Sequence, residues 1–296
     1  MIIYAISSSS LGSRFTAEVQ EAFSKAKLKN IEACLASEPP ENQDYFESLA
    51  RMKAACQAGI VNSVSVHMPF YGCGLKWDPS CLDESIRQDV VRRISAMVRE
   101  NALLFQGGNM TLHSSNEPPL DEHPQRIEQC RRSLRELLPL AEELDFSINV
   151  EFLPRTCVGN SEDELLQLVA GFPEKYVGIC LDVNHIMDRY QDLPQMIRRL
   201  APRIKSMHIC DYDGVDEMHW FPWQGIIPWD EVMAAIREID HDVVLISETM
   251  NQLGTKVSHV AHPYFGLRQT EKAFFFLENC ESFIAAEKDF AIPGNN

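Results

Sequence analysis

No C-x-x-C pair occurs anywhere in the chain, which excludes a zinc ribbon and a redox dithiol. The nine cysteines (34, 56, 73, 81, 130, 157, 180, 210 and 280) are odd in number and scattered. Several lie inside apolar runs such as "GICLDV" and "SMHICDY", where a reduced thiol packs as a small hydrophobe. That usage fits a reducing compartment. No run approaches the roughly 20 apolar residues of a spanning helix. The opening "MIIYAISSSS" has no basic region, and its apolar stretch is too short for a secretory signal. The expectation is therefore a cytoplasmic protein with no membrane partner. Basic residues are also scarce: Lys and Arg number 27 against 43 Asp and Glu, a formal charge of −16. Such a chain gains nothing from phosphate-backbone attraction, and no basic segment is clustered, so no nucleic-acid partner is expected.

Linkers, low-complexity stretches and breaks in composition are missing too. What remains is a globular composition, 45% apolar and 24% charged over 296 residues. Eight short apolar, β-branched runs recur: Ile2–Ile6, Asn30–Leu35, Val61–His67, Asn109–His113, Phe146–Phe152, Val177–Asp182, Ile204–Cys210 and Val243–Glu248. Most read as apolar on consecutive positions, the pattern of parallel strands covered on both faces. Between them lie helical segments. Ile127, Cys130, Leu134, Leu137, Leu138, Ala141 and Leu144 share one face, with Arg131, Arg132, Arg135 and Glu136 on the other. Ser161-Glu162-Asp163-Glu164 reads as a capping box, and Pro228 stands where a helix begins.

Eight strands alternating with helices predict a parallel α/β fold. The count of eight favours a closed barrel over an open sheet. So does the lack of a glycine-rich phosphate loop after any strand; Gly107-Gly108 precedes one instead. The expected architecture is a (β/α)8 TIM barrel, one domain over residues 1–296, with a loosely held tail from Glu287 to Asn296.

The ionisable residues gather at strand C-termini. His67 ends "VSVH", His113 "MTLH", Glu151 "INVE", Asp182 "ICLD" and Glu248 "VLISE", while His185 and His208 sit in "DVNH" and "SMHICDYDG". In a barrel these ends share one face, where active sites lie. Any one of them is as readily a hydrogen-bonded structural residue. Seven on one rim point to a site, because buried charges are costly unless paired or metal-bound.

The stretches "VEFLPRTCVGNSEDE", "GICLDVNH", "MHICDYDG", "HWFPWQGIIPWDEV" and "LISETM", in this order and spacing, resemble the sugar phosphate isomerase/epimerase group. That group belongs to the xylose-isomerase-like barrel superfamily, which also contains endonuclease IV. The resemblance implies that Glu151, Asp182, His208 and Glu248 ligate one divalent metal ion. It implies that His185 contacts substrate beside the metal and that His219 lies ahead of a "PGxG" turn. Here that turn is "PWQG", with Trp223 in place of the first glycine. Ketohexose 3-epimerases of the group carry a second Glu just after the first ligand. Here the stretch is "FLPRTC", with Arg155 and Cys157, which argues against a straightforward ketohexose 3-epimerase. Two Glu, one Asp and one His, without sulfur, suit Mn, Co, Mg or Zn rather than a structural zinc site.

The implied activity is isomerisation or epimerisation of a small sugar or sugar-like substrate through an enediolate, with Glu151 and Glu248 moving the proton. His185, His219, His67, His113 and Glu217 are the expected substrate-binding residues. A metal ligand is a poor base, so Glu217, His219 and Glu32 stand in reserve; Glu32 reads as a rim hydrogen-bonding residue at the end of the second strand. Trp77, Trp220, Phe221 and Trp223 are candidate walls of the site or packed loop residues. Three rivals stay open. One is an endonuclease IV-like phosphodiesterase with extra ligands from His67, His113, Glu217 and His219. The others are a dehydratase or lyase on an inositol-like ketone and a non-catalytic sugar-binding barrel. The sequence allows a homo-oligomer without specifying one.

Overall fold

The computed structural model describes residues 1–12, 14–249 and 262–282. Eight parallel strands close in chain order into a barrel: β1 Ile2–Ser7, β2 Asn30–Cys34, β3 Asn62–His67, β4 Asn109–Leu112, β5 Ser147–Glu151, β6 Val177–Asp182, β7 Ile204–Ile209 and β8 Val243–Ser247. Closure pairs Ile2 with Val243 through Ile6 with Ser247. Outside run α1 Ala17–Lys25, α2 Gln43–Gln57, α3 Glu84–Glu100, α4 Ala102–Phe105, α5 His123–Leu144, α6 Glu162–Val169, α7 Leu193–Leu200, α8 Trp229–Arg237 and α9 Pro263–Glu278. No helix among the described residues is long and apolar enough to cross a membrane. The expected loose tail, 287–296, and Met250 of "LISETM" lie outside the described residues.

The strands are covered on both faces; β1 and β8 run apolar on consecutive positions, while β4 and β5 alternate apolar with polar residues. Outward residues such as Val66, Met110, Ile148, Val150, Ile179, Met207 and Leu245 join Leu134, Leu137, Leu165, Ile197, Ile236 and Leu267 of the helices in one buried layer. Burial of this kind contributes roughly 25 cal/mol per Å2 of apolar surface. The interior is divided. Toward β8 and β1 a separate apolar cluster forms around Ala5, Val244 and Ile246. Between β2 and β7, Glu32, Ser65, Thr111, Asn149 and Ser206 are all fully buried. These polar groups hydrogen-bond to one another and to their neighbours: Ser65 Oγ donates to Glu32 Oε1 at 2.9 Å, Asn149 Nδ2 to Asn109 Oδ1 at 3.0 Å, and Ser147 Oγ to Asn149 Oδ1 at 2.8 Å. Their polarity is why a strictly apolar pattern fails, and it places a hydrogen-bonded floor under one end of the barrel.

Local signals behave similarly. On α5, Ile127, Cys130, Leu134, Leu137 and Ala141 are buried and Leu138 is half-buried, while Leu140 joins the buried face unforeseen. Pro228 is the N-cap of α8. The capping box is half made: the Ser161 hydroxyl accepts from Glu164 N at 3.4 Å. The Glu164 carboxylate turns instead to Gly159 N (2.8 Å) and His123 Nδ1 (2.7 Å), tying the β5–α6 loop to α5.

Candidate metal centre

At the C-terminal mouth of β5–β8, four donors converge. His208 Nδ1 lies 3.1 Å from Glu151 Oε1, 3.3 Å from Asp182 Oδ2 and 3.1 Å from Glu248 Oε2. Their donor atoms all fall within 4.8 Å of one another. Glu151, Asp182 and His208 are buried, and Glu248, just past β8, is the most open of the set with its side chain 14% exposed. Three carboxylates around one imidazole nitrogen would repel one another without a cation between them. The oxygen-rich donor set and its convergence therefore fit a divalent metal ion.

Two further groups adjoin this one. His67, at the end of β3, and His113, just past β4, both touch Glu151. His67 Nε2 is 3.3 Å and His113 Nε2 2.9 Å from Glu151 Oε2. On the other side His185, Glu217 and His219 form a third group with donors within 4.8 Å of one another. His185 Nε2 is 3.6 Å from Asp182 Oδ2 and 3.7 Å from Glu217 Oε2.

The histidines are oriented by their second nitrogens. Nδ1 of His67 faces Met68 O (2.9 Å), that of His185 faces Phe152 O (2.8 Å) and that of His219 faces Glu248 O (3.0 Å). A carbonyl can only accept, so each Nδ1 carries the proton and each Nε2 is turned toward the mouth. His208 is reversed: its Nε2 points down the barrel to the Glu32 carboxylate, 3.4 Å from Oε1 and 3.3 Å from Oε2. Glu32 is not at a strand end. It is the third residue of β2, fully buried, and accepts from Ser65 Oγ (2.9 Å) and Thr111 Oγ1 (3.2 Å).

Burial pushes the carboxyl of Glu151 up, yet His113 and His208 beside it hold it well below the usual carboxylate range. Asp182 is held low against burial by His185 and His208. Burial drives His67 down, but its contacts with Glu151 prevail and push it up to about 9. At His113 burial wins and the pKa falls.

All three groups open on a cavity of about 430 Å3, ordinary for a small-molecule site. Its walls include Phe70, Ser115, Asn116, Leu153 and Arg155. Phe70 stacks on His113, ring centroids 4.2 Å apart at 7°; it sits three residues beyond a strand end, with no sequence signal to single it out. None of Trp77, Trp220, Phe221 and Trp223 lines the cavity. Trp77 is buried beneath the Arg93 guanidinium at 4.5 Å, so it packs the outer loop. Arg155, held at φ 53°, pairs with Glu217 Oε1 at 2.7 Å, Glu117 at 3.4 Å and Asp216 at 3.4 Å.

The β7–α8 loop carries Glu217 and His219, and buried Asp211 organises it. Asp211 accepts from Tyr212 N (2.9 Å), Trp223 N (3.0 Å), Ile227 N (3.2 Å) and Trp229 Nε1 (2.8 Å). Its backbone exchanges two 2.7 Å hydrogen bonds with Trp220. Gly225 is required there, since a Cβ would stand 2.1 Å from Tyr212 O. Trp223 keeps a left-handed φ of 74°, the conformation a glycine would take more easily.

Residues 21–263 match the model of the xylose isomerase-like TIM barrel family. A D-psicose 3-epimerase of Enterocloster bolteae is 28% identical over 40% of this chain and 38% of its own length. The chain spans less than two thirds of the length of each curated relative it matches. Among solved structures, a D-tagatose 3-epimerase-like protein superposes with a TM-score of 0.71 at 18% identity, covering 97% of this chain and 100% of that one. The IOLI protein with a zinc atom gives 0.70 at 16% identity, covering 94% and 98%. These two likenesses concern the fold. The matched span takes in β2 through β8 and with them every residue of the three groups, and the chain belongs to the xylose isomerase-like TIM barrel family.

Proposed function

We propose that the protein is a divalent-metal-dependent isomerase or epimerase of a small sugar or sugar-like substrate. The observation that carries this reading is the convergence of Glu151, Asp182, His208 and Glu248 beside a substrate-sized cavity. The sugar epimerases among the relatives, and the zinc atom of a structural neighbour, support it. The four residues would hold the ion, which when bound supplies a Lewis acid that lowers the cost of negative charge next to a carbonyl.

The chain's own residues would do the rest. Glu248, more open than Glu151, is the carboxylate better placed to take a proton from the substrate carbon. Glu151, once protonated from solvent, would deliver a second proton, on the opposite face for epimerisation or at the next carbon for isomerisation, while Glu248 gives its own up to solvent. His185, with Nε2 toward the mouth, would accept a hydrogen bond from a substrate hydroxyl. Among the described lining residues Arg155 is the one Lys or Arg, and three carboxylates already occupy it. That supports an unphosphorylated substrate.

The test is proton NMR of keto- and aldo-sugars incubated with metal-loaded protein in D2O. Deuterium should enter at the carbon beside the carbonyl, with a rate drop of roughly 10²–10⁴-fold in Glu248→Gln. Full activity in both Glu151→Gln and Glu248→Gln would sink the reading. Loss of water without exchange would favour a dehydratase on an inositol-like ketone.

A second reading, a multi-metal phosphoesterase, is favoured by one specific observation. His67 and His113 on Glu151, and His185 with Glu217 and His219, form two more donor groups that a one-metal isomerase does not need. Three of these histidines have their Nδ1 protons fixed by backbone carbonyls, the usual arrangement of metal-ligating imidazoles. Metals in such sites clamp attacking and leaving oxygens of a phosphate ester. Three ions per chain together with hydrolysis of bis(4-nitrophenyl) phosphate would decide for it, and one ion per chain against it.

A further inference from the structure

We infer that Glu32 is a positioning residue for His208: it fixes from beneath which ring nitrogen His208 offers to the mouth. The inference rests on the metal-centre reading above.

The argument begins with cost. Glu32 is fully buried at the middle of β2, well below the mouth, and an ionised carboxylate there is expensive unless each oxygen is engaged. Ser65 of β3 and Thr111 of β4 both donate to Oε1. His208 Nε2 of β7 reaches the same carboxylate across the barrel, hydrogen-bonded to Oε1 at 3.4 Å and 3.3 Å from Oε2, which has no other ion-pair contact among the described residues. The two hydroxyls thus hold the carboxylate in place, with both its oxygens beside a single imidazole N–H position.

The consequence for His208 is chemical. A neutral imidazole carries one N–H, and a carboxylate below Nε2 draws the proton there. Nδ1 is then left with its lone pair, facing Glu151, Asp182 and Glu248 at 3.1 to 3.3 Å. The opposite tautomer would point an N–H at the metal position and a lone pair at Glu32, which is repulsive at both ends. His67, His185 and His219 use backbone carbonyls for the same task at Nδ1. At His208 the ring is reversed, and a side chain from the far wall provides the acceptor. A neighbouring carboxylate also raises the basicity of the ligand nitrogen, and losing such a partner typically weakens metal binding by about 10–100-fold.

The experiment measures Co2+ affinity of the whole chain by chelator competition, for wild type, Glu32→Gln and His208→Ala, with the ligand-field spectrum of each cobalt form. The expected result is tight binding by wild type, loss in His208→Ala, and about 10–100-fold weaker binding with a changed spectrum in Glu32→Gln. A residue that only fills the barrel floor would lower the melting temperature and leave affinity and spectrum unmoved; that outcome overturns the inference while the metal reading stands. Wild type that binds no cobalt overturns both. Should Glu32→Gln fail to fold, 15N-histidine NMR of the zinc-loaded wild type decides alone. It should show His208 protonated at Nε2, and a proton on Nδ1 overturns the proposal.

Discussion

Glu151 Oε2 lies 2.9 Å from His113 Nε2, while the other oxygen of the same carboxylate faces His208. One side chain therefore belongs to two donor groups. Glu151→Gln should weaken metal binding at the four-ligand position, and at the second group too if the multi-metal reading holds, by more than the roughly 10–100-fold that loss of an outer-shell partner costs. His113→Asn should affect only the outer group and leave the four-ligand position filled. Metal content after dialysis, measured for both variants, checks this. Equal loss in the two variants would mean that the groups do not divide at Glu151.

Asp211 is a second point of leverage, away from the metal. Its two oxygens accept from four donors of the β7–α8 loop and α8. Asp211→Asn puts an NH2 where an acceptor is needed and strands at least one buried N–H, at a cost of about 1–3 kcal/mol. For a chain of this size each kcal/mol lowers Tm by roughly 2–4 °C. Because the loop carries Glu217 and His219, KM should rise more than kcat falls. Thermal melts and steady-state kinetics read the two effects separately.

The barrel and its mouth were legible because parallel strands place all their C-terminal residues on one rim; His67, Glu151 and Asp182 need only their strands' ends to be found. Register on the far wall was harder. Glu32 looked like a rim residue because "IEACL" gives no sign of where β2 stops, and its partners Ser65, Thr111 and His208 come from three other strands. The same holds for Phe70 and for Asp211, whose roles depend on loop contacts made across sequence distance. Trp77 stayed open between two readings: a tryptophan in a βα loop can face the cavity or the helix layer, and Arg93 holds it in the latter.

A pH-dependent prediction concerns the outer layer. The Arg87 guanidinium, fully buried, binds Glu84 at 2.7 Å and Glu136 at 2.6 Å. Its hydrogen bond to Glu84 brings that carboxyl down to about 2 from an ordinary 4.5. A carboxyl depressed in the folded state adds stability above its unfolded pKa, and that contribution fades as pH falls through the folded value. Arg87→Met should therefore be less stable than wild type near neutral pH. The gap in urea midpoint should narrow steadily as pH is lowered from 5 toward 3. A gap independent of pH would show that Arg87 acts through packing and Ser133 rather than through Glu84.

Backbone strain at His219 offers a cleaner separation of stability from function. The residue sits at φ 48° while its Nδ1 donates to Glu248 O at 3.0 Å. A left-handed conformation costs a residue with a Cβ roughly 1–2 kcal/mol, and glycine escapes that cost at the expense of a floppier unfolded chain. His219→Gly and His219→Ala lose the same imidazole and the same hydrogen bond, so the difference between them isolates the Cβ. His219→Gly should be the more stable of the pair by about 1 kcal/mol. Both should lose activity to the same extent, because the missing group is the imidazole facing the cavity. Identical melting temperatures would mean that the loop relaxes around the alanine side chain, and that no strain is stored beside the metal centre. A stability gap with equal activity loss would show that the fold tolerates a strained backbone there to aim His219 into the site.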